Sequence, residues 1–349
     1  MLHRGQVQDE QQAERDRDEP DQGPPQPAFE TTTLLGRHIL RLLVDHIPIL
    51  IRVLVGSYNH WMLRRSFLLS SLTVALAAAP VAGQFDTSSW NRPYPPFTVA
   101  GPVHYVGTSE LGAYLITTSA GHVLIDGGLP ESAPLIERSI RDLGFKVDAV
   151  EVLLITQAHF DHVGSLAALQ KASGGKVMVM TGDAALVEAG GQGDFLFGDG
   201  QLFPRVKVDR VLQDGDTVTL GGITLTAVLT PGHTKGCTTW TTEIADAGRQ
   251  YKVLFAGSTG VNPGTVLPSM PTYPTIGADY DRAFRVQAAL TPDIWLAAHA
   301  GLFGLADKRE RQKAGGPNPF VDPEGWKQSV ESRRAAHAEL LKGTGARPR

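Results

Sequence analysis

Hydrophobic and polar positions follow strand-like and helix-like periods over most of the chain. Two apolar runs, 114–118 and 122–126, flank the small residues 119–121 and predict a β-hairpin. Apolar residues recur at helical spacing over 133–143, and the run 150–155 is apolar enough to predict a buried strand. The same patterns predict further strands at 176–180, 217–220, 223–229, 238–243, 252–255 and 293–297, and further helices at 280–290 and 324–341.

The order of these elements indicates a fold class. Strands and helices are mixed throughout, and no segment repeats with a period of roughly 20 to 50 residues, which excludes a solenoid. Such mixing is typical of an α/β domain built in layers with the helices outside. We expect this domain to occupy residues 84–349.

The segment before this domain has a different pattern. Residues 1–30 are polar and acidic, with too few apolar side chains to offset the entropy of ordering. Residues 34–58 are apolar, but charges such as Arg41 and Asp45 interrupt them and argue against a membrane span. We expect residues 1–61 to be an N-terminal extension that is either disordered or not normally translated, with Met62 as the true start.

Residues 62–83 have the layout of a secretory signal peptide. Arg64 and Arg65 supply its positive end, and the apolar stretch 67–79 is too short to span a bilayer. Small residues at 77–83 suit cleavage by a signal peptidase. The alternative interpretation of the apolar stretch is a buried hydrophobic helix. The signal predicts a periplasmic or secreted protein that has no stable membrane association once the signal is removed.

Composition narrows the classes of function. Hydrophobic residues make up 42% of the chain, enough for a large core, and the formal net charge is -4. We expect no nucleic-acid partner, because binding to phosphates requires a concentrated basic face. Cys237 is the chain's one cysteine, which excludes an internal disulfide and a cysteine-rich zinc site.

Four segments place polar residues directly after an apolar strand. They are 155–162, 229–236, 254–259 and 295–301. The first contains two histidines and an aspartate in one turn, and the second and fourth each add one histidine. Packing does not require such residues, and burying them without a metal would leave several polar groups to satisfy. Because imidazole and carboxylate groups suit Zn²⁺, the pattern predicts a zinc site.

These motifs resemble the metallo-β-lactamase superfamily. The resemblance is carried by the His-x-Asp-His turn at 159–162, Pro-Gly-His-Thr at 231–234 and the late Ala-His at 298–299. Segments 90–108, 124–129, 197–200 and 299–301 resemble subclass B3 of that superfamily more specifically. The resemblance implies a four-layer αββα sandwich and zinc-dependent hydrolysis of the β-lactam amide bond by metal-bound hydroxide, which confers antibiotic resistance. It also implies a monomer.

The resemblance further implies two groups of metal ligands. Site one would consist of Gln157, His159 and His233, and site two of Asp161, His162 and His299. Most of the subclass has histidine at the position of Gln157, and an amide oxygen is a weaker zinc ligand than imidazole. Two states therefore stay open: a dinuclear enzyme with a loose first site, or a mononuclear enzyme that uses site two.

Two catalytic roles follow from the resemblance. Asp161 would orient a metal and accept a proton, and Ser258 would hydrogen-bond to metal-bound water or substrate. Ser258 stands where lactonase-type relatives carry an aspartate that bridges two metals. We expect Asp126 to accept the second ring N–H of a metal-bound histidine, and Cys237 to be packed rather than ligating.

Two other functions remain possible on this evidence. One is a different zinc hydrolase of the same fold that acts on a lactone, a thioester or a phosphodiester. The other is a binding protein that has kept the fold without the activity.

Overall fold

In this computed structural model, which describes residues 87–344, twelve β-strands form two sheets. The first sheet contains, in spatial and chain order, β1 (Phe97–Ala100), β2 (Val103–Tyr105), β3 (Tyr114–Thr118), β4 (Gly121–Ile125), β5 (Val150–Leu154), β6 (Lys176–Met180) and β7 (Arg210–Leu212). The second contains β8 (Thr217–Leu220), β9 (Ile223–Leu229), β10 (Thr238–Asp246), β11 (Arg249–Ala256) and β12 (Ile294–Ala297). The predicted extension 1–61 and signal peptide 62–83 lie outside the described residues.

Helices lie outside both sheets. They are α1 (Ala133–Asp142), α2 (Phe160–Val163), α3 (Leu166–Ser173), α4 (Thr181–Ala189), α5 (Ile276–Ala289), α6 (Leu305–Lys313) and α7 (Pro323–Thr344). Within the described part of the chain, no helix is both long enough and apolar enough to cross a membrane.

The central strands of the first sheet are buried on both faces. In β3, Tyr114 and Ile116 belong to the core shared with the second sheet, whereas Leu115 packs with the helices. Strand β4 and the last three residues of β5 (152–154) divide their side chains in the same way, as the alternation of side chains along a strand requires. Because both faces are apolar, these strands are apolar almost throughout, which made them recognisable in the sequence.

Four layers result. The helix-side core joins the first sheet to α1, α3 and α4, with Ile136, Leu169 and Val187 among its buried side chains. On the other side, Gln287 of α5 donates a hydrogen bond to the Gly257 carbonyl at the end of β11, at 2.7 Å. The predicted α/β sandwich with outer helices is therefore confirmed.

Most predicted elements are present with small shifts. Strands β6, β8 and β9 have the predicted bounds, and the hairpin joins β3 to β4. The helix predicted at 280–290 begins earlier, at Ile276, and the one predicted at 324–341 extends to Thr344. The sequence patterns missed the short strands β1, β2 and β7, as well as helices α2, α3, α4 and α6.

Candidate metal centre

Loops at the carboxyl ends of four strands form the site. Strands β9, β11 and β12 run in the same direction, because β10 pairs antiparallel with β9 and β11 while β12 pairs parallel with β11. The loop after β9 carries His233, and the loop after β12 carries His299. The loop after β5 in the first sheet carries Gln157 and the His-x-Asp-His turn.

Two hydrogen bonds join the end of β5 to the second sheet. The Trp240 indole N–H donates to the Ile155 carbonyl at 2.8 Å, and the Thr238 N–H donates to the Thr156 carbonyl at 2.8 Å. Trp240 is only 1% exposed, so the first of these bonds lies inside the core. The loop that carries Gln157 is thereby attached to the sheet that carries His233 and His299.

Asp161, His162 and His299 form one compact group. Asp161 Oδ2 lies 3.2 Å from His162 Nε2 and 3.4 Å from His299 Nε2. One possible ligand atom from each of the three residues lies within 4.8 Å of the others. The structure therefore brings together the three residues predicted for site two.

A second group lies beside the first. His159 Nδ1 is 3.2 Å from His233 Nε2, and the two rings meet edge to face. Gln157 is 1% exposed, and its Oε1 has no hydrogen-bond partner among the residues that the structure describes. Gln157, His159 and His233 line one cavity of about 70 Å³ together with Asp161 and His299. The residues predicted for both sites thus share one cavity or lie against it.

The donor set fits zinc. Burial, with a smaller contribution from neighbouring imidazoles, lowers the pKa of His159 and His299 to about 4 and that of His233 to about 3. These rings are therefore neutral at neutral pH, the form in which a nitrogen lone pair can bind a metal. A buried amide oxygen without a partner, next to two neutral imidazoles, is the arrangement that a bound cation would satisfy.

Asp161 is charged in spite of its burial. Burial alone would raise the pKa of this carboxyl group, but His162, His299 and His159 together hold it well below its usual range. His162 makes the largest contribution of the three, through its charge and a hydrogen bond. An ionised carboxylate among imidazoles supplies the negative charge that a divalent cation needs.

The His233 ring is fixed by a backbone carbonyl. Its Nδ1 lies 2.7 Å from the Gly260 carbonyl oxygen, which accepts hydrogen bonds only, so Nδ1 carries the proton. Nε2 then keeps its lone pair for a metal. Tyr280 on α5 donates to the same carbonyl at 2.8 Å, which connects this loop to the outer helix.

Asp194 is a site residue that the sequence motifs did not predict. Its Oδ2 lies 3.8 Å from His159 Nε2, and its Oδ1 accepts the N–H groups of Leu196 and Phe197 at 2.8 Å each. One carboxylate therefore shapes the turn after it and faces a candidate ligand. The position of Asp194 just before the 197–200 motif was a usable signal.

The structure corrects the role expected for Asp126. Its carboxylate accepts the Thr156 N–H at 2.7 Å and the Thr156 hydroxyl at 2.8 Å, rather than a ring N–H of a candidate ligand. Asp126 is fully buried, and burial raises its pKa to about 6. These bonds secure the residue directly before Gln157, so Asp126 supports the loop and not a ring.

Ser258 and Cys237 lie next to the centre. The half-buried Ser258 hydroxyl accepts the Gly260 N–H at 3.1 Å, which helps shape the loop that holds His233. Binding of water or substrate by Ser258 stays a prediction. Cys237 is fully buried and its thiol donates to the Ser258 carbonyl at 3.4 Å, so it is packed as predicted.

Aromatic and amide side chains line the mouth of the cavity. The Trp90 ring meets His299 edge to face at 5.7 Å, and the Phe197 ring meets His159 at 5.3 Å. Asn262, on the loop after β11, also lines the cavity. Asn262 was not identified from the sequence, because an asparagine in a loop has no distinctive spacing.

Comparisons with known proteins agree with this geometry. Residues 113–299 match the sequence model of the Metallo-beta-lactamase superfamily. The chain is similar to the native FEZ-1 metallo-beta-lactamase from Legionella gormanii, with 42% identity, a TM-score of 0.72 and coverage of 74% of this chain and 99% of that one. It is also similar to BJP-1, a subclass B3 metallo-beta-lactamase of Bradyrhizobium japonicum, with 36% identity, a TM-score of 0.70 and coverage of 74% and 98%.

A curated relative is more distant. A probable metallo-hydrolase of Burkholderia pseudomallei is 31% identical over 135 residues, which is 38% of this chain. The match spans 42% of that relative's length.

Proposed function

The chain belongs to the metallo-beta-lactamase superfamily, and from that premise we propose that it hydrolyses the amide bond of β-lactams with zinc as its cofactor. The observation that carries the proposal is the pair of three-residue groups around one cavity, His159 with His233 and Gln157, and Asp161 with His162 and His299. All six residues come from one chain, so a monomer would hold the complete site.

The residues would divide between two zinc ions. Gln157, His159 and His233 would hold one ion, and Asp161, His162 and His299 would hold the other. When bound, zinc supplies Lewis acidity and a coordinated water whose pKa falls to about 7. Site two has an anionic carboxylate, so it retains zinc better than site one, where a neutral amide replaces imidazole. We expect two ions at high zinc and one at low zinc.

The protein's own groups would then orient the reaction. The Gly260 carbonyl keeps the proton on His233 Nδ1, and Asp194 faces the Nε2 edge of His159. The charged Asp161 carboxylate can accept a proton from the attacking water as the amide bond breaks. The Trp90 and Phe197 rings line the cavity beside His299 and His159, and a substrate bound against them would displace water and strengthen the electrostatic interactions inside.

Recognition of the substrate would use the loop after β11. The Asn262 amide lines the cavity and can donate a hydrogen bond to a substrate carbonyl or carboxylate. Ser258 can approach the substrate from the start of the same loop. Gly260 has no side chain to assist it.

A substrate panel tests the proposal. Steady-state rates are measured on the zinc-loaded protein with a penicillin, a cephalosporin, a carbapenem, a lactone and a thioester. We expect hydrolysis of at least one β-lactam with a kcat/KM well above those for the lactone and the thioester. A clear preference for the lactone or the thioester would contradict the proposal and favour the other zinc hydrolases of this fold.

The site of action is a separate part of the proposal. We propose that residues 62–83 direct export to the periplasm or the medium, where the enzyme would confer resistance to β-lactam antibiotics. N-terminal sequencing of the protein from an expressing bacterium should give a start close to Gln84. A mature protein that begins near Met1 would contradict export through this segment.

A further inference from the structure

A buried carboxylate joins two of the loops that carry candidate ligands. Asp183 lies in the first turn of α4 and is 1% exposed. Its Oδ2 accepts the Ala158 N–H at 3.0 Å and the Thr234 hydroxyl at 2.7 Å, and its Oδ1 accepts the Gly236 N–H at 2.7 Å. Both carboxylate oxygens therefore accept hydrogen bonds, and the three donors come from two separate loops.

The position of these donors relates Asp183 to site one. Ala158 lies between Gln157 and His159, and Thr234 directly follows His233. The three candidate ligands of site one are thus each adjacent to a residue that Asp183 binds. His299 of site two lies on a third loop, whose Ala300 N–H donates to the Glu110 carbonyl at 2.8 Å instead.

Close packing keeps the start of α4 against the second loop. A Cβ atom on Gly182 would collide with the backbone of Lys235, and one on Gly236 would collide with the backbone of Asp183. The carboxylate consequently has little room to shift relative to the residues after His233. A rigid connection of this kind can set a distance between two loops.

We propose that Asp183 is a positioning residue that sets the spacing of His159 and His233, and thereby the zinc affinity of site one. The inference rests on the proposed zinc site. Site one needs this support more than site two does, because Gln157 is a weak ligand and the two imidazoles must provide most of the binding. Loss of residues that orient metal ligands typically lowers metal affinity by about 10- to 100-fold.

The experiment measures zinc affinity rather than activity. The metal-free full-length protein is titrated with zinc in competition with a chromophoric chelator, and the wild type is expected to show two binding steps. The step lost in His233→Ala is assigned to site one, and the step lost in His299→Ala to site two. In Asp183→Asn, the amide NH₂ group meets an N–H donor where an oxygen had accepted it, with almost no change in volume.

We expect Asp183→Asn to weaken the site-one step by about 10- to 100-fold and to change the site-two step by less than about threefold. Thr234→Val removes one of the three hydrogen bonds and should weaken site one by a smaller factor. Thr234→Ser keeps the hydroxyl and should restore wild-type affinity. The Thr234 variants also test the proposal if Asp183→Asn does not fold.

Asp209→Asn is the control. The Asp209 carboxylate also accepts a backbone N–H, from Val177 at 3.0 Å, and a side-chain amide, from Gln170 at 3.1 Å, but it is more exposed than Asp183, pairs with Lys207 and contacts neither ligand loop. Its substitution should leave both zinc steps unchanged, and urea unfolding of the metal-free variants would compare their losses of stability.

Three results would overturn the inference. They are a single zinc step in the wild type, equal weakening of both steps in Asp183→Asn and Thr234→Val, and an unchanged site-one step in those two variants. A failure of the proposed function would give a different result. The wild type would bind two zinc ions and Asp183→Asn would weaken site one as expected, but the protein would hydrolyse no β-lactam.

Discussion

At the scale of single residues, charge and hydrogen-bonding capacity determine how the centre would hold metal. Asp161 is ionised by the imidazoles around it, whereas Gln157 contributes a neutral amide oxygen. A charged oxygen binds a divalent cation more strongly than a neutral one, so the two groups of ligands differ in strength although they share a cavity.

Replacement of Gln157 by histidine should strengthen site one. The change completes a three-histidine site, and imidazole suits zinc better than an amide does. We expect the site-one dissociation constant to fall by about tenfold, which corresponds to about 1.4 kcal/mol. Zinc titration of the metal-free wild type and Gln157→His measures it. Unchanged affinity and stoichiometry would mean that Gln157 is not a metal ligand.

Loss of a site-two ligand should cost more activity than loss of Gln157. Asp161→Ala removes the carboxylate that both His162 and His299 contact, and His299→Ala opens site two. Both should lower kcat/KM further than Gln157→Ala does, because site two holds the better ligands. The three variants are compared at one saturating zinc concentration. Equal losses would instead indicate that both metals are required.

Residue spacing in the sequence predicted the candidate ligands but not the residues that support them. His159, Asp161 and His162 lie in one short turn, and a cluster of histidine and aspartate residues indicates metal binding. Asp183 accepts backbone N–H groups from distant segments, and nothing near it in the sequence indicates those partners. Asp194 accepts N–H groups from its own turn, but the ligand that it faces, His159, lies on another loop. Such contacts depend on how the loops fold together.

At the scale of elements, periodicity predicted the long buried strands well and the short helices poorly. Strands β3 to β6 are apolar on both faces, which leaves a strong signal. Helix α2 has four residues, two of which are candidate metal ligands, so it has no apolar period to detect. Strand β2 has three residues, one of which is His104, and its signal is equally short.

Protonation of His104 in the first sheet should make the folding stability of the protein depend on pH. It lies on β2, is 6% exposed, and its ring nitrogens contact the hydroxyls of Thr98 and Thr117 at 3.0 and 3.2 Å. Burial, and secondarily the nearby His122, lowers the pKa of His104 from 6.5 to about 4. The unfolded chain therefore binds this proton at higher pH than the folded protein does, and stability falls as the pH drops through this window.

His104→Gln should reduce the loss of folding stability at acidic pH. Between about pH 7 and about pH 5, protonation of His104 should lower the unfolding free energy of the metal-free wild type by on the order of 1 to 2 kcal/mol. The drop in unfolding free energy of the variant over the same pH range should be smaller by that amount. Urea unfolding of both metal-free proteins at the two pH values gives the difference, in which the histidines that do not interact with His104 cancel. Identical pH dependence in the two proteins would contradict the assignment to His104.

At the scale of the whole molecule, the two sheets provide a rigid frame for loops that are far apart in the chain. The bonds from Trp240 and Thr238 to the end of β5 connect the sheets beside the cavity, so the spacing of the ligand groups is set by the core. The sequence predicted the layered fold from its mixture of elements. It could not indicate these cross-links, because they join residues 82 to 85 positions apart.

If zinc held by these residues drives β-lactam hydrolysis, activity must follow bound zinc, and one titration measures both. Zinc is added in steps to the metal-free protein, and bound zinc per chain and the initial rate of hydrolysis of a β-lactam are measured on the same samples. We expect no hydrolysis without metal and a rate that rises with bound zinc and levels off at two ions or fewer per chain. Asp161→Ala should show a much lower rate at the same zinc concentration. Full activity in the metal-free protein, or in Asp161→Ala, would contradict the proposed function.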